Sequence, residues 1–334
     1  MANNCVFICP DFFNYKGLIE KELSFRYEKV YSFSDRPECS SLHKALIKYN
    51  ILNFQKMYAR KHSKIIIDYI SDRIDDISTV FIVKGTCIDR AFLTHLKIAN
   101  PKINIVIYSW DSVKNAPNFL ELSKFADSVF SFDPEDCLKY RFSYMPLFFY
   151  KKNMEGNRHV AVKKYDFSFV GSYHSDRVAV LNSFLLNHPN ANSFIKIFFQ
   201  SRLQYLFYFL YDRNLRCMPA SWLTFNVLSN ADIEGIYRES TYVIDIHHPS
   251  QSGLTMRTWE ALSSTTALYT TNIFTLLHGM SGNVRFIERR SGLELDRNIV
   301  LDRVNKYQFL LGDTTSPFDI ETWINYLLKN ARPI

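Results

Sequence analysis

One segment combines the residue types of an anion-binding site. Residues 242–246 (Tyr-Val-Ile-Asp-Ile) form a short apolar run typical of a buried strand, and polar residues 247–252 follow it. His247 and His248 open this polar stretch, and Ser252-Gly253-Leu254 close it where the pattern predicts the start of a helix. A helix N-terminus presents unpaired N–H groups and the positive end of its dipole. The segment therefore predicts a phosphate site at the carboxyl end of a strand.

Two charged residues follow this loop at helical spacing. Arg257 lies inside the predicted helix, and Glu260 stands three residues further on. Residues three or four apart share one face of a helix, so both side chains can reach toward the loop. A guanidinium suits a diphosphate, and a carboxylate accepts hydrogen bonds from the hydroxyl groups of a ribose. The spacing predicts contacts to a phosphate and to a sugar side by side.

A second turn has a similar composition. Residues 169–177 (Phe-Val-Gly-Ser-Tyr-His-Ser-Asp-Arg) place Gly171 and Ser172 at a predicted strand end and Arg177 inside the next helix. The turn could contact an anion through these residues and through His174. The alternative is an ordinary strand-to-helix turn in which a serine or aspartate caps the helix. Two such turns in one half of the chain support an anion site better than one turn would.

The first half of the chain offers carboxylates at predicted strand ends. Asp111 follows one strand and Asp11 follows the first. A carboxylate in such a place can accept the proton of a reacting hydroxyl group, and we predict Asp111 as the base, with Asp11 as a second candidate. The alternative for Asp111 is a helix or turn cap. Lys84, at a third strand end, could neutralise phosphate or simply be solvated.

The sequence predicts no metal site. His247 and His248 are adjacent, and adjacent residues of an extended segment point to opposite faces. The pattern Asp-x-Asp does not occur. We therefore expect both histidines to contact phosphate or sugar directly, or to be structural.

Composition bounds the class of protein. A chain of 334 residues exceeds the usual size of one core, which predicts two domains. Six scattered cysteines without metal-ligand spacing and the lack of a long apolar segment predict a cytoplasmic protein with reduced thiols. The net charge of +7 favours anionic partners. Neither GxGxxG nor GxxxxGK[ST] is present, which argues against dinucleotide oxidoreductases and P-loop nucleotidases.

Alternating strands and helices must position these residues. Short β-branched runs alternate with longer amphipathic segments, which predicts parallel sheets with helices on both faces. In the first half the predicted strands are residues 6–9, 29–33, 79–83, 103–108 and 128–132, and the helices are 42–59 and 88–99. A polar, basic stretch at 148–164 predicts a connection between domains.

The second half repeats the alternation. The predicted strands are residues 166–170, 194–199, 242–246 and 267–271, with two more near Val284 and Ile299. The predicted helices are 176–187, one that ends near residue 214, 232–240, one that begins at Gly253, and 317–329.

These motifs resemble those of bacterial GT-B glycosyltransferases that build capsule, exopolysaccharide or lipopolysaccharide. The resemblance rests on Phe-Val-Gly-Ser at 169–172 with Arg177, on residues 251–262 and 267–272, and on residues 108–115 and 130–136. It implies two Rossmann-like, doubly wound α/β domains facing each other across a cleft. Residues 1–150 would bind the acceptor, residues 151–316 the nucleotide sugar, and a helix in residues 317–334 would pack back on the first domain.

The resemblance also implies roles for single residues. Ser252, Gly253 and Leu254 would contact the diphosphate through their backbones with help from Arg257, and Glu260 would bind the ribose. The commonest retaining pattern has a second glutamate eight residues before the first, where this chain has Ser252. The stereochemical course is therefore left open.

The implied function is a metal-independent glycosyltransferase that moves a sugar from a nucleotide donor to a bacterial surface glycan or a lipid-linked acceptor. A UDP-sugar is the favoured co-substrate, a CMP-linked acidic sugar would also suit a basic site, and no other cofactor is expected. One alternative is a non-catalytic subunit that binds a nucleotide sugar or a glycan. A nucleic-acid-binding protein is a third interpretation, but no recognised nucleic-acid motif supports it.

Residues 194–216 mix aromatic side chains with Lys196, Arg202, Arg213 and Arg216. Such a segment could seat a helix at the anionic cytoplasmic face of the inner membrane. The alternative is a core strand and helix with a solvated basic edge.

Overall fold

The computed structural model describes residues 3–11, 15–38, 54–149, 162–264, 266–278, 282–311 and 319–329. The chain forms two compact units, which we call unit 1 (Met1–Pro146 with Phe318–Ile334) and unit 2 (Leu147–Pro317). Each unit has its own sheet of mostly parallel strands. The roles predicted for residues 1–150, 151–316 and 317–334 stay predictions.

Strands and helices alternate along both units. The strands are β1 (Asn4–Cys9), β2 (Lys29–Ser34), β3 (Ile77–Val83), β4 (Asn104–Ser109), β5 (Ser128–Ser131), β6 (Ser143–Tyr144), β7 (Tyr165–Ser172), β8 (Ser193–Phe198), β9 (Leu223–Thr224), β10 (Ser240–Asp245), β11 (Ala267–Thr270), β12 (Val284–Ile287) and β13 (Glu294–Leu295). The helices are α1 (Tyr15–Ser24), α2 (Phe54–Ile70), α3 (Arg90–Ala99), α4 (Asn118–Ser123), α5 (Pro134–Tyr140), α6 (Arg177–Leu186), α7 (Arg202–Tyr211), α8 (Arg213–Arg216), α9 (Asn230–Arg238), α10 (Met256–Ser263), α11 (Arg297–Val304) and α12 (Ile320–Lys329).

The sheet of unit 1 is parallel, with the order β2-β1-β3-β4-β5-β6. Val6 of β1 pairs with Tyr31 of β2 on one side and with Val80 of β3 on the other. Every residue of β1 is buried, as expected for a parallel sheet covered on both faces. The strand order reverses between β1 and β3. The loops after these two strands therefore flank a switch point, where open α/β sheets bind ligands.

The last helix, α12, packs within unit 1. Trp323 is fully buried and its indole Nε1 donates a hydrogen bond to Pro146 O at 3.0 Å. Its ring meets the ring of Tyr108 edge-on, with 4.9 Å between centroids. Asp319 accepts a hydrogen bond from Thr322 N at 2.8 Å and so caps the start of the helix.

The sheet of unit 2 has the order β13-β12-β11-β10-β7-β8-β9. All neighbouring pairs are parallel except β12 and β13. Strands β8 and β9 extend the sheet on one side of β7, and β10 to β12 extend it on the other. The switch point of unit 2 therefore lies between the carboxyl ends of β7 and β10.

One predicted helix end and one predicted strand are wrong. A helix was expected to end at Ala59, but α2 continues to Ile70 because buried Ser63, Ile66 and Ile70 extend its inner face through a run of charged residues. A strand was expected near Ile299, but this residue lies in α11, which Asp296 caps by accepting a hydrogen bond from Asn298 N at 2.7 Å. Residues 42–53 and 150–161, parts of a predicted helix and of the predicted connection, lie outside the described residues.

Among the described residues, no helix has the length and apolar character needed to span a bilayer. The five cysteines in these ranges form no disulfide; Cys5, Cys9, Cys87 and Cys137 are buried and Cys217 is exposed.

Candidate functional site

The two predicted turns leave the sheet of unit 2 at its switch point. Strand β7 ends at Ser172 and the adjacent strand β10 ends at Asp245. A side chain placed on Gly171 would collide with the guanidinium of Arg257. The structure therefore brings the turn at 169–177 together with the segment 242–262, in a region that we call the switch-point site.

A fully buried carboxylate, Asp245, holds the segment in place. Its Oδ1 accepts hydrogen bonds from Thr255 Oγ1 and Arg257 Nη1, both at 2.9 Å, and its Oδ2 accepts one from Thr258 Oγ1 at 2.8 Å. Burial alone would raise the pKa of Asp245, but the Arg257 charge and the Thr258 hydroxyl outweigh it and hold the pKa below its ordinary value. Asp245 was not among the predicted site residues, although an aspartate that ends a β-branched strand is a usable signal.

Arg257 joins three elements. Its Nε and Nη2 donate to Val170 O of β7 at 3.0 and 2.8 Å, and Nη1 pairs with Asp245 of β10. The guanidinium lies 4.7 Å from the centre of the Phe169 ring, and the side chain is only 11% exposed. Arg257 is thus a structural support of the switch-point site. Its assistance to a diphosphate stays a prediction.

Arg177 is the second buried arginine. Its Nε and Nη2 donate to Ile246 O at 3.2 and 2.7 Å, and Nη1 donates to Ser172 O. The guanidinium lies 5.2 Å from the ring centre of Phe169, which also contacts Arg257. Burial and, next, the charge of Arg257 hold the pKa of Arg177 well below its ordinary value. Arg177 ties the end of β10 to the turn after β7.

Gly171 is required by steric contact. A Cβ at this position would collide with Arg257 Nη2 and would lie 3.1 Å from both Arg177 Nη1 and Phe169 Cζ. The lack of a side chain thus allows two guanidinium groups to pass the end of β7. A backbone contact of Gly171 and Ser172 to an anion stays a prediction.

We expect Gly171→Ala to lower the free energy of unfolding by about 1–3 kcal/mol, because overpacking displaces buried groups that cannot yield freely. The matched control is Gly235→Ala, since a Cβ there meets no atom within 4 Å and lies within helix α9. That change should stabilise the protein by about 0.5–1 kcal/mol. Urea unfolding of both variants tests the assignment, and equal stabilities would contradict it.

A third arginine, Arg289, follows β12 and was not predicted. Its Nη1 donates to both oxygens of Asp176 at 2.7 and 2.9 Å, and its Nη2 donates to His247 O and to Thr271 Oγ1. We call Arg177, Arg257 and Arg289 the arginine cluster. Arg257 pairs with Asp245 and Arg289 pairs with Asp176, whereas Arg177 donates to backbone carbonyl groups.

The three predicted histidines lie at this site and are partly exposed. The rings of His174 and His248 are 5.2 Å apart, and His247 Nδ1 lies 2.8 Å from Thr271 Oγ1. Burial and then Arg177 lower the pKa of His174 to about 2, and burial and then Arg289 lower that of His247 to about 3. Both imidazoles are therefore uncharged at neutral pH. Within the described residues, no group of three His, Cys, Asp or Glu side chains is arranged to hold a metal ion.

The helix of the predicted phosphate loop begins later than expected. A start at Gly253 was predicted, but α10 begins at Met256. The reason is that Asn272 Nδ2 donates to Ser252 O and Gly253 O at 3.1 and 3.0 Å, which fixes both in the loop. Ser252, Gly253 and Leu254 are buried, and their backbone contacts to a diphosphate stay a prediction.

Glu260 and Arg257 lie on one face of α10, as their spacing predicted. Burial would lower the pKa of Arg257, but Tyr237, Asp245 and then Glu260 outweigh it and raise the pKa. Burial, with a smaller contribution from Glu260, raises the pKa of Tyr237. Glu260 itself is partly exposed. A carboxylate thus stands beside the arginine cluster at the switch-point site.

Unit 1 holds the predicted carboxylates at its own strand ends. Lys84 Nζ pairs with Asp111 Oδ2 at 2.6 Å, so the loops after β3 and β4 meet there. Lys84 adopts the left-handed backbone region with φ of 67°, and Gly85 follows with φ of 66°. This conformation is uncommon for a residue with a side chain, and strained residues of this kind cluster at active sites and ligand clamps. Asp11 is mostly exposed and pairs with Lys16 at 3.0 Å.

No protein-family model and no curated protein sequence matches the chain, but several solved structures are similar to it. S. aureus MnaA, solved with UDP, superposes with a TM-score of 0.51 at 12% identity over 98% of this chain and 97% of that chain. The glycosyltransferase SnogD from Streptomyces nogalater gives 0.50 at 11% identity over 98% and 100%. UDP-N-acetylglucosamine 2-epimerase from Rickettsia bellii gives 0.52 at 9% identity over 98% and 95%.

The chain has the GT-B fold. The predicted α/β class with two doubly wound units is confirmed, since both sheets are mostly parallel and the superpositions cover nearly the whole chain.

Proposed function

We propose that the chain is a metal-independent glycosyltransferase that takes a sugar from a nucleotide-sugar donor. The observation that carries the proposal is the arginine cluster with its partly exposed histidines at the switch point of unit 2. This is the place where sheets of this kind bind nucleotides. Two proteins of the same fold were solved with UDP, which supports a uridine diphosphate as the nucleotide part of the donor.

The donors of the site suit a diphosphate. Three guanidinium groups lie there with three carboxylates, and two of these carboxylates, Asp176 and Asp245, are held in ion pairs with Arg289 and Arg257. Burial keeps His174 and His247 neutral, and a neutral imidazole can donate one hydrogen bond to an anion. Glu260, the third carboxylate, is the group proposed for the ribose. Glycosyl transfer leaves negative charge on the departing diphosphate, and preorganised donors stabilise that charge most where water is excluded. We propose that Arg289 and the histidines supply those donors, with Arg177 and Arg257 fixing the loops.

Other residues are proposed to bind the ribose and to activate the acceptor. We propose Glu260 as the ligand of the ribose hydroxyls and Asp111 as the base that deprotonates the acceptor, with Asp11 as the second candidate. Lys84 orients Asp111 through their 2.6 Å ion pair. The proposed acceptor is a bacterial surface glycan or its lipid-linked precursor, reached from the cytoplasmic side. A UDP-sugar is the proposed donor, and a CMP-sugar is the second choice.

A second function is also supported by the fold. UDP-N-acetylglucosamine 2-epimerase from Rickettsia bellii superposes as well as the glycosyltransferase SnogD does. An epimerase would convert a UDP-sugar without any acceptor, and a binding subunit would hold it unchanged. The products of a reaction with a nucleotide sugar, with and without acceptor, therefore distinguish the three.

The test begins with nucleotide binding. A thermal-shift screen of UDP, GDP, ADP, CMP and their sugars should single out one nucleotide, since a ligand at about 100 times its Kd stabilises by roughly 2.7 kcal/mol. We expect Arg289→Met to weaken binding of that nucleotide by about 10–150-fold, the loss of a charge-assisted hydrogen bond. Calorimetry measures the affinity.

The chain supplies a matched control on the same strand and loop. Arg285 lies in β12, is half-exposed and pairs with Glu294 at 3.2 Å. Arg285→Met removes one charge without touching the arginine cluster, and its affinity should equal that of the unaltered protein. If no nucleotide or nucleotide sugar binds, or if both variants lose affinity equally, the proposal is wrong.

A further inference from the structure

Helix α7 displays an apolar face to solvent. Leu203, Leu206, Phe207, Leu210 and Tyr211 follow helical spacing and are each exposed by between 53% and 77%. The rings of Phe207 and Tyr211 lie 4.9 Å apart and extend this face. Single exposed hydrophobic residues are ordinary, but a contiguous stripe on one helix marks an interaction surface.

The opposite face of α7 anchors the helix to unit 2. Tyr205, Tyr208 and Phe209 pack against the core of this unit, and the Tyr205 ring meets the Phe199 ring edge-on at 5.1 Å. Ser201 caps the start of the helix by accepting a hydrogen bond from Gln204 N at 3.1 Å. The helix is therefore held in a folded state, and its outer apolar face is not a product of local unfolding.

Cations flank the apolar face. Arg202 begins α7, and Arg213 and Arg216 lie in α8 just beyond its end, all three exposed. Arg216 also donates hydrogen bonds to Phe209 O and Leu210 O and so caps the carboxyl end of α7. No acidic residue occurs between positions 202 and 211.

We propose that this face of α7 docks on the surface of an anionic lipid bilayer, with the helix lying in the plane of the interface. Leucine and aromatic side chains would enter the boundary between headgroups and acyl chains, and the arginines would meet the lipid phosphates. Charge complementarity selects this occupant. A second copy of the chain on a two-fold axis would bring the arginines that flank this face against arginines of the other helix, and no carboxylate lies between positions 202 and 211 to offset them.

The apolar contact is tested with Leu206→Gln/Phe207→Gln. Flotation with vesicles of phosphatidylcholine, with and without phosphatidylglycerol, measures membrane binding. The unaltered protein should float with the anionic vesicles, and the double variant should lose about tenfold or more in binding. The matched control is Ile98→Gln, because Ile98 is 77% exposed on helix α3 of unit 1 and should leave binding unchanged.

The charge contribution is tested with Arg202→Gln/Arg213→Gln. Each arginine near an anionic surface should contribute about fivefold to binding, so the double variant should lose about 25-fold at low salt. The loss should shrink as salt is added, because screening weakens the attraction in both proteins. Neither Arg202 nor Arg213 is needed to cap the carboxyl end of α7, because Arg216 donates the hydrogen bonds there.

Several outcomes would overturn the docking proposal. These are no flotation with anionic vesicles, equal flotation with neutral ones, or a Leu206→Gln/Phe207→Gln variant that binds as well as the parent. Sedimentation that shows a dimer dissociated by this variant, without lipid binding, would assign the face to a second copy. The proposal does not rest on the enzymatic one, because α7 variants should bind nucleotide normally. Vesicle binding without nucleotide binding would leave it intact.

Discussion

Replacing Asp245 by asparagine should lower the free energy of unfolding by about 3–5 kcal/mol, the cost of removing one partner from a buried ion pair. The change keeps the shape of the side chain but leaves Arg257, only 11% exposed, without its counter-charge. It also weakens the bonds from Thr255 and Thr258. Because the folded-state pKa of Asp245 is lowered, this stabilisation is present at neutral pH and is lost as the pH falls below about 4.

A double-mutant cycle separates the ion pair from general damage. Asp245→Asn/Arg257→Met should cost less than the sum of the two single changes by about 0.5–3 kcal/mol, because the double variant buries no lone charge. Glu121→Gln, which breaks the exposed pair with Lys124, is the surface control and should leave the urea midpoint unchanged. Strictly additive costs would show that Asp245 and Arg257 do not act as a pair.

These residues also explain why Arg257→Ala is a poor probe of nucleotide binding. Its loss would remove bonds to Val170 O and Asp245 together with the stacking on Phe169. A weaker affinity could then reflect a collapsed site. Arg289 makes its contacts at the rim, with Asp176 and His247, and its removal leaves the buried bonds intact.

The switch-point site could be located from sequence because its chemistry sits at strand ends. The apolar runs that became β7 and β10 are each followed by polar residues, and parallel strands bring such ends to one edge of a sheet. The predicted histidines and arginines therefore lie together. Local sequence patterns were enough to locate the site, because a strand with two buried faces and a capped helix can both be recognised from neighbouring residues.

Contacts between residues far apart in the chain account for the features of the site that the sequence did not predict. Arg257 bonds Val170 and Arg289 bonds Asp176, pairs far apart in the chain that no local pattern connects. The same limit explains the misplaced start of α10, because the contact that fixes the loop comes from Asn272. Gly171 suggested a close approach of backbone to phosphate. In the structure, a glycine is needed here because the guanidinium groups of two arginines pack against this position, and the sequence alone does not show that packing.

Replacing Asp111 by asparagine should reduce the rate of sugar transfer by about 10²–10⁴-fold while nucleotide affinity is kept. Asparagine keeps the size and polarity of the side chain but cannot accept the proton of an attacking hydroxyl group. The position is well defined: Asp111 pairs with Lys84 at 2.6 Å, and Ser109 Oγ bonds the Asp111 carbonyl at 2.5 Å. Steady-state transfer assays with the nucleotide sugar identified by the binding screen measure the change.

The conformation of Lys84 supports a role for this pair beyond stability. A non-glycine residue at φ of 67° costs about 1–3 kcal/mol, and here it is held by hydrogen bonds from Lys84 N to Tyr108 O and from Gly85 N to Val83 O, both at 2.8 Å. The surrounding hydrogen bonds hold Lys84 in this strained conformation, which places its ammonium group beside the carboxylate of Asp111. An ordinary surface ion pair contributes too little to offset such a cost.

The Lys97–Asp127 pair is the matched control for Asp111→Asn. It lies in the same unit, with an N–O distance of 2.6 Å and similar exposure. Asp127→Asn keeps an oxygen that accepts the bond from Ile105 N and should leave the transfer rate near that of the parent. If Asp111→Asn retained most of the rate, the base would have to lie elsewhere, and Asp11→Asn would be the next variant to assay. Loss of nucleotide affinity in Asp111→Asn would instead indicate that the substitution disturbs the folded protein rather than the transfer step alone.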